Sequence, residues 1–481
     1  MNKKNSIKAN FIYNLLYNIL NIIIPLITAP YTSRVLGAEN IGIYSYTYSL
    51  VSTIIMFGAL GSATYAQKEI ASVGDDIQER SYIFWEVFWV KGITTVLIGS
   101  VFFIYAITDR RIVYYVLQIP FFIAAILDVS WLFQGLEQFG HIAIRNIAVR
   151  IVGVVLMILF VRDRNDLPIY LMIISISQMF GNLSMWPYVK KYVTKIRIRP
   201  KQIKHHFKEM LVYFIPSITY QIYAVLDKAM LGWIIGSDYE NGFYEQAYKI
   251  VNMAVNVISA YTIVMRSRMS YLFSQEKYEE IGIRMVKSSD IIAFLVFPMT
   301  FGLAIISAGM VPWFFGAGYS RVVNILYVFC PIFIFMGYSR MLGTHLLTPS
   351  GRQAKSNVGQ CMAAIINVCL NVVLIPLFDA VGAAIASVCA EAIITIVYFW
   401  MVRKEFSLKV VIRTGWKKLL ASIIMFGVLF QMRTLYSATI LGTMSQIISA
   451  IIVYGLGLLL LRDSFVIMFI RDFFVKLKRR S

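Results

Sequence analysis

The chain has 481 residues, of which 59% are hydrophobic and only 15% are charged. This composition excludes a soluble globular domain, because such a fold could not hide so much apolar surface from water. The formal net charge of +20 fits contact with anionic lipid headgroups better than binding to nucleic acid, because the basic residues flank apolar segments.

In chain order, the sequence contains about fourteen apolar segments long enough to cross a bilayer, since a spanning helix needs roughly 20 such residues. We predict spans at 10–30, 41–64, 83–107, 112–133, 143–161, 167–188, 210–234, 243–264, 289–315, 322–346, 357–377, 381–402, 418–435 and 440–461. The predicted fold is therefore an all-α polytopic membrane protein. The first segment runs too long for a signal-peptide core, so we expect it to be retained.

Basic residues are distributed asymmetrically between the two sides of the predicted membrane. Counted with the helix ends that border them, connections on the N-terminal side carry 34 Lys and Arg, and opposite connections carry 7. The connection 189–209 is strongly basic, whereas 236–242 and 378–380 contain neither residue. By the positive-inside rule, both termini are predicted to be cytoplasmic.

No connection is long enough to form a soluble domain, and the sequence lacks the GxSxG, HExxH, Walker A and Rossmann patterns. We therefore expect no catalytic group, no metal and no cofactor. His205 and His206 lie in a basic connection, and we interpret them as solvated loop residues. The short outer connections also argue against a glycan polymerase or ligase, which would need catalytic groups at the outer face.

Two stretches of the sequence look like copies of each other. Residues 36–44 and 235–244 share a Gly, acid, Gly, Tyr pattern about 200 residues apart, and each copy follows one apolar span and opens the next. An even repeat of six spans gives two lobes related by an axis along the membrane normal. The predicted divisions are 1–188, the N-lobe; 189–209, a basic linker; 210–402, the C-lobe; 403–461, two extra spans; and 462–481, an amphipathic tail.

Several motifs resemble those of the Wzx-type polysaccharide flippases, a branch of the multidrug/oligosaccharidyl-lipid/polysaccharide exporter superfamily. They are residues 25–39, 42–46, 131–139, 142–146 and 226–232. The resemblance implies two six-helix lobes in a V that alternate between inward- and outward-open states. It implies an undecaprenyl-diphosphate-linked oligosaccharide as substrate. In related lipid II flippases an arginine at the position of Arg34 faces the central cavity, and two extra helices, matched here by position only, form a lipid-tail groove.

A glycan head needs a polar path, because each hydroxyl moved unpaired into hydrocarbon costs roughly 4–8 kcal/mol. Charges kept at bilayer depth are costly, so each one is a functional candidate. We expect a cationic site for a diphosphate, in which arginine gives bidentate contacts and lysine a point charge. The predicted substrate-binding residues are Arg34, Lys228, Lys249, Lys91 and Arg340.

Acidic residues within the spans keep other interpretations open. Asp128, Asp227 and Glu391 are candidates for coupling transport to protons or sodium, while ion pairing that only stabilises the fold would explain the same charges. The tyrosines Tyr44 and Tyr244 are candidates for lining the path, although membrane-interface belts also enrich aromatic residues. For the motif residues Gln134, Glu137, Arg145 and Asn146 we favour a structural or gating role.

The sequence thus favours a flippase that carries a lipid-linked oligosaccharide from the inner to the outer leaflet for capsule, exopolysaccharide or O-antigen synthesis. The expected partners are that substrate, membrane lipids, a polysaccharide polymerase and a chain-length regulator, with no nucleic acid. The expected location is the bacterial inner membrane. A drug or cation antiporter of the same superfamily remains an alternative, because charge balance discriminates poorly between the two.

Overall fold

The computed structural model describes the backbone of residues 3–468 and 471, with side chains over most of residues 23–468, and all regular elements in that part are helical. The α-helices are α1 (Lys3–Ala59), α2 (Ser62–Val73), α3 (Ile77–Ala106), α4 (Ile112–Leu117), α5 (Ile119–Leu127), α6 (Ser130–Gly135), α7 (Phe139–Phe160), α8 (Leu167–Leu183), α9 (Trp186–Val189), α10 (Pro200–Ile234), α11 (Asp238–Ser274), α12 (Tyr278–Phe314), α13 (Ser320–Phe329), α14 (Ile332–Leu342), α15 (Gln353–Val402), α16 (Leu408–Gln431) and α17 (Ile440–Leu460). The predicted all-α fold is confirmed. The predicted amphipathic tail, 462–481, lies mostly outside the described residues.

Within the described chain, eight helical stretches are long and apolar enough to cross a membrane, or nine if the bent pair α13 and α14 counts as one span. Two of these stretches, Ile23–Val73 and Gln353–Val402, have 51 and 50 residues. Each is more than twice the roughly 20 residues that one crossing needs. The protein is therefore a multi-pass membrane protein, and the count of fourteen spans stays a prediction.

The long helix within each of these stretches, α1 or α15, is interrupted at one residue with a positive φ angle. Gly37 (φ 78°) breaks α1, and Asp379 (φ 55°) breaks α15. Glycine adopts this backbone conformation without steric cost, and aspartate is among the few other residues that tolerate it. Each break falls in a segment where the sequence predicts a connection between two spans.

The fourth predicted span, 112–133, is a helix broken at two points into α4, α5 and α6. The first break precedes Pro120, which has no amide hydrogen to continue the α4 ladder. At the second break, Asp128 Oδ1 accepts hydrogen bonds from the Ser130 amide (3.0 Å) and hydroxyl (2.5 Å). Such local side-chain bonds compete with helical hydrogen bonding, and they leave the Asp128 side chain at a helix end inside the bundle.

The chain separates into two compact units, residues 1–245 and residues 246–481. The first unit has several apolar cores, one of which buries Phe84 and Trp131 together with Met210 of α10. In the second unit, α12 packs against α16 and α17 around a core that includes Met425. The predicted division into lobes with a linker at 189–209 stays a prediction.

The two copies of the repeated motif pack against each other within the first unit. Their first glycines, Gly37 and Gly236, both have positive φ angles, 78° and 70°. Their second glycines form a helix crossing: a Cβ atom added to Gly42 would lie 1.6 Å from the Asp238 carbonyl oxygen, and one added to Gly242 would lie 1.9 Å from the Ala38 carbonyl oxygen. Small residues at four-residue spacing permit this close approach. We call this contact the glycine crossing.

At the start of α10, the interpretation of His206 as a solvated residue is wrong. His206 is buried, with Nε2 2.9 Å from Glu86 Oε2 and Nδ1 2.7 Å from the Tyr65 hydroxyl. Glu86 also accepts hydrogen bonds from Arg199 Nε (2.9 Å) and the Arg199 amide (3.0 Å). These hydrogen bonds from Arg199 to Glu86 are the largest cause of a raised pKa for Arg199. The basic connection is thus attached to α3 through a buried carboxylate that sequence reasoning had not paired with it.

Candidate functional site

A cavity of about 460 Å³ lies in the first unit among α1, α5 and α8. Small-molecule sites commonly have volumes of roughly 300–1,000 Å³. Its lining combines aromatic, apolar and polar side chains: Tyr44, Tyr48, Ser52, Ile55, Met56, Phe121, Ala124, Ala125, Asp128, Ile174, Gln178 and Asn182. Within these described lining residues, Asp128 is the one ionisable group that is normally charged at neutral pH, and no lysine or arginine takes part.

One wall of the cavity is aromatic because α1 places tyrosines on one face. Tyr44 and Tyr48 are four residues apart, so they lie on the same side of the helix. Their rings stack with centroids 5.5 Å apart at 26°. The edge of this stack is held by Tyr170 of α8, which meets Tyr44 at 80°, and by Phe121 of α5, which meets Tyr48 at 64°. The Tyr48 side chain remains 37% exposed.

The polar wall comes from the broken end of α5 and from α8. Asp128 uses Oδ1 for Ser130, and within the described residues its Oδ2 makes no hydrogen bond. Gln178 is exposed and lines the cavity, and its side chain makes no hydrogen bond to a described residue. Asn182 is buried, and its amide donates to the Ala124 carbonyl oxygen (2.7 Å). The wall therefore offers a carboxylate and a primary amide that are available to a ligand.

Arg145 supports this polar wall from α7. Its Nη1 donates to Ser130 Oγ (3.1 Å) and to Asn182 Oδ1 (3.0 Å), while Nε and Nη2 bond to Asn146. Arg145 thus connects the residue that holds Asp128 to a lining residue on another helix. We predicted a structural or gating role for the motif residues Arg145 and Asn146. These contacts are consistent with a structural role, and gating stays a prediction.

The predicted site residues of the first unit occupy different environments. Lys91 is 3% exposed, and its Nζ donates to the main-chain oxygen of Asp128 (2.6 Å). Lys228 Nζ lies 2.5 Å from Glu245 Oε2. Asp227 is buried and accepts a hydrogen bond from the Tyr244 hydroxyl (2.7 Å). Arg34 is exposed on α1, one turn before the Gly37 break.

The Lys228–Glu245 pair borders the tyrosine wall. Glu245 also accepts a hydrogen bond from Ser45 Oγ (3.2 Å), which is next to Tyr44 in the chain. The structure therefore brings Lys91 together with Asp128, and Lys228 together with an acid outside the predicted set. Each cation has a close oxygen partner within the first unit.

The remaining predicted residues belong to the second unit. Glu391 is 4% exposed, and its Oε2 accepts a hydrogen bond from Ser339 Oγ (3.2 Å). Arg340 is half-buried and donates to Ser259 Oγ. Lys249 is half-buried on α11. Their roles in substrate binding and coupling stay predictions.

Sequence reasoning missed the contribution of α8 to the site. Gln178 and Asn182 are four residues apart within an apolar segment, which places both on one helix face. Uncharged polar residues inside a span are a weak signal, because serine, asparagine and glutamine also serve in helix packing. This face of α8 lines the cavity together with the broken helix end at Asp128 and the stacked rings of Tyr44 and Tyr48, which the sequence does not reveal.

A second cavity, of about 630 Å³, lies in the second unit among α12, α16 and α17. Its wall is mainly apolar, and its polar members are Tyr327, Arg433, Tyr436, Ser437 and Gln446. The helices that form it include the two predicted C-terminal spans, which lie outside the predicted repeat. Among the residues that the structure describes, no group of three or more His, Cys, Asp or Glu side chains is arranged to hold a metal ion.

A cluster of charges joins the α3–α4 connection to the start of α11 in the first unit. Asp238 Oδ1 lies 2.6 Å from Arg111 Nη2, and Asp238 Oδ2 lies 3.2 Å from Arg110 Nη2. The Arg111 guanidinium also lies 4.5 Å from the centroid of the Tyr46 ring. Asp238 is in the first turn of α11, where the helix dipole favours a negative charge. We call these contacts the Asp238 clamp.

Comparison with known families gives this geometry a context. Residues 7–270, more than half of the chain, match the family described as polysaccharide biosynthesis protein. The chain belongs to this family. The match spans α1 to α10 and most of α11, so it includes the cavity, the glycine crossing and the Asp238 clamp.

Two curated relatives match this chain, one over most of its length and the other over about half of it. A protein of Escherichia coli K12 named "Putative O-antigen transporter" is 23% identical over 409 residues, which are 84% of this chain and 98% of the relative. A Haloferax volcanii protein named "Probable low-salt glycan biosynthesis flippase Agl15" is 26% identical over 224 residues, 46% of each chain.

Solved structures share the fold. The lipid II flippase MurJ in an inward closed conformation matches with a TM-score of 0.67 at 17% identity, covering 95% of this chain and 99% of that chain. An inward-facing multidrug transporter of the MATE family and the MOP superfamily matches with a TM-score of 0.63 at 13% identity, covering 83% and 98%. Likeness at these identities concerns the fold alone.

Proposed function

We propose that this protein is a flippase that moves a lipid-linked oligosaccharide from the inner to the outer leaflet of a bacterial inner membrane. The observation that carries the proposal is a cavity lined by tyrosines, an amide and a carboxylate among the helices of a member of the polysaccharide biosynthesis family. Relatives are named as an O-antigen transporter and a glycan flippase. Such proteins make and break no covalent bond, so this protein is not an enzyme.

The physical need for such a protein follows from the chemistry of the substrate. Hydroxyl groups of a glycan pay roughly 4–8 kcal/mol each when they enter hydrocarbon without a hydrogen-bond partner. A cavity with free polar groups offers replacement partners, and this supports passage of the glycan head inside the protein. The likeness to multidrug transporters rests on fold alone, so it does not favour drug antiport.

The lipid carrier we propose is undecaprenyl diphosphate. Its diphosphate would need cations, and Arg34, Lys91, Lys228, Lys249 and Arg340 remain the proposed contacts. The apolar cavity of about 630 Å³ beside α16 and α17 supports the idea that the C-terminal helices hold the polyprenyl tail. Arg433 in its wall is a further cation, which would attract a phosphate at the end of the tail.

Energy coupling, topology and partners complete the proposal. Asp128, Asp227 and Glu391 are the proposed coupling residues for protons or sodium. The basic connections support a topology with both termini in the cytoplasm. A polysaccharide polymerase and a chain-length regulator are the proposed partners, because the flipped repeat unit must be consumed at the outer face.

Reconstitution tests the function directly. Proteoliposomes are loaded with a fluorescent undecaprenyl-diphosphate oligosaccharide, and an external glycosidase reports which glycans have reached the outer leaflet. The wild-type protein is expected to expose glycan from the inner leaflet faster than protein-free vesicles do. Equal exposure rates with and without protein would contradict the proposed function.

A pair of substitutions tests the cationic contacts. Arg34→Ala combined with Lys228→Ala should abolish glycan export at normal expression, because two of the five proposed diphosphate contacts are lost. Since Lys228 also pairs with Glu245, Glu245→Gln is the matched control that removes the pair but keeps the cation. Export by the double variant at the wild-type level would remove these residues from the mechanism.

A further inference from the structure

We propose that the cavity in the first unit is a subsite for one uncharged pyranose ring of the glycan, separate from the site that takes the diphosphate. This inference rests on the proposed function and makes it more specific. It concerns two parts of the cavity lining, the rings of Tyr44, Tyr48 and Phe121 and the polar side chains of Asp128 and Gln178.

The aromatic wall suits the apolar face of a sugar ring. A pyranose presents axial C–H bonds on one face, and these are attracted to the electron-rich face of an aromatic ring. The Tyr44–Tyr48 stack is fixed by edge contacts from Tyr170 and Phe121, so its rings are positioned before a ligand arrives. With 37% of Tyr48 exposed, part of the stack is available for contact. A prearranged ring also lowers the entropy cost of binding.

The polar wall suits the hydroxyl groups at the edge of the same ring. Asp128 Oδ2 is an acceptor that makes no hydrogen bond to a described residue. The Gln178 side chain offers a donor and an acceptor, and neither is hydrogen-bonded to a described residue. Asp128 is held by Ser130, which Arg145 bonds in turn, so the acceptor has a fixed position. Aromatic and hydrogen-bonding groups in one lining match the two kinds of surface that a sugar has.

The charges of the cavity select against anionic ligands. Its described lining contains a carboxylate and neither lysine nor arginine. Two cations lie behind this lining and are not part of it: Lys91 donates to the main-chain oxygen of Asp128 at 2.6 Å, and Arg145 donates to Ser130 and Asn182. A phosphate or a uronic acid brought close to Asp128 would meet a like charge in a region of low dielectric, where such repulsion is strong. The subsite is therefore suited to a neutral sugar.

Binding of free sugars tests the subsite without any transport step. Saturation-transfer NMR is recorded on the full chain in lipid nanodiscs with methyl glycosides of glucose, galactose, rhamnose and N-acetylglucosamine, and with glucuronate. At least one neutral glycoside is expected to receive saturation, and glucuronate is not. Tyr48→Ala should weaken the binding about tenfold or more, as expected for loss of a ring contact, whereas Tyr48→Phe should keep most of it. Tyr105→Ala, at an exposed tyrosine outside the cavity lining, is the matched control.

Asp128→Asn separates a charge role from a structural one. The amide keeps an oxygen for Ser130 but removes the negative charge, so glucuronate should begin to bind while neutral sugars remain. Absence of saturation for every neutral glycoside, or unchanged binding in Tyr48→Ala, would overturn the subsite. Those results would leave the proposed function standing if proteoliposomes still flip the lipid-linked glycan. If sugars bind but the proteoliposomes do not flip the lipid-linked glycan, the proposed function is contradicted instead.

Discussion

Lys418 is the most deeply buried lysine among the described residues, with 1% of its surface exposed. Its Nζ lies 2.6 Å from Asp290 Oδ1, 2.9 Å from Asp463 Oδ2 and 3.0 Å from the Thr414 carbonyl oxygen. The lysine thus connects α16 to α12 and to the turn after α17. Buried charges tolerate this placement only when they are paired and hydrogen-bonded.

Lys418→Met should destabilise the second unit by about 3–5 kcal/mol, because it leaves the buried Asp463 and the half-buried Asp290 without their cation. The measurement is the unfolding temperature in detergent, followed by intrinsic fluorescence. Lys417→Met is the control, since Lys417 is half-buried and forms no ion pair among the described residues. Its Nζ bonds to the Arg462 carbonyl oxygen and lies 5.6 Å from the centroid of the Trp416 ring. Equal unfolding temperatures for the two variants would show that the buried pair contributes little.

At the scale of elements, the glycine crossing sets how closely α1 and α11 approach. Gly42→Ala should destabilise the first unit, because the new methyl group would lie 1.6 Å from the Asp238 carbonyl oxygen. Overpacking commonly costs about 1–3 kcal/mol, and the upper part of that range is expected here because backbone atoms must move. Loss of folded protein in detergent size-exclusion chromatography is the measurement.

Gly427→Ala provides the comparison for this variant. Gly427 lies inside α16, and a Cβ atom there would meet nothing within 4 Å. Because alanine favours helix by about 1 kcal/mol over glycine, this variant should be at least as stable as the wild type. A Gly42→Ala protein that behaves like Gly427→Ala would mean that the crossing can widen at little cost.

Much of this element-level arrangement follows from the sequence. The apolar segments predict the helices. The copies at 36–44 and 235–244 predict a duplication, which stays a prediction, and the structure adds that Gly37 and Gly236 both have positive φ angles. The partners of buried charges do not follow, because Glu86 finds Arg199 across 113 residues and only tertiary packing determines that contact. The break at Asp128 was also missed, since an apolar run gives no sign of where a side chain will end a helix.

At the scale of the whole molecule, the proposed flippase must expose its glycan path to each side in turn. The Asp238 clamp holds the α3–α4 connection to the start of α11. Both segments are predicted to lie on the outer side of the membrane. A conformation open to that side would have to release these contacts. Hydrogen bonds to charged groups are worth about 1.5–3 kcal/mol, so their loss would change the population of such a conformation at least tenfold.

Asp238→Asn should therefore increase labelling of a cavity cysteine from outside. The cysteine is introduced as Ser52→Cys after the four native cysteines are replaced by alanine, and intact cells are treated with a membrane-impermeant maleimide. Asp75→Asn, at an exposed acid in the α2–α3 turn, is the charge-matched control. Labelling at the same rate in both variants would show that the clamp does not limit outward access.

The same crossing has a consequence for how this molecule can change over evolutionary time. Glu39 bonds to Tyr239, Ser45 bonds to Glu245, and Gly42 faces Gly242, so each position meets the one 200 residues later. Contacts of this kind are those that two identical half-length chains would make across a two-fold axis. If the two copies descend from such a pair of chains, Gly42 and Gly242 had little freedom to change, because a larger residue at either position is obstructed by the backbone of the other copy.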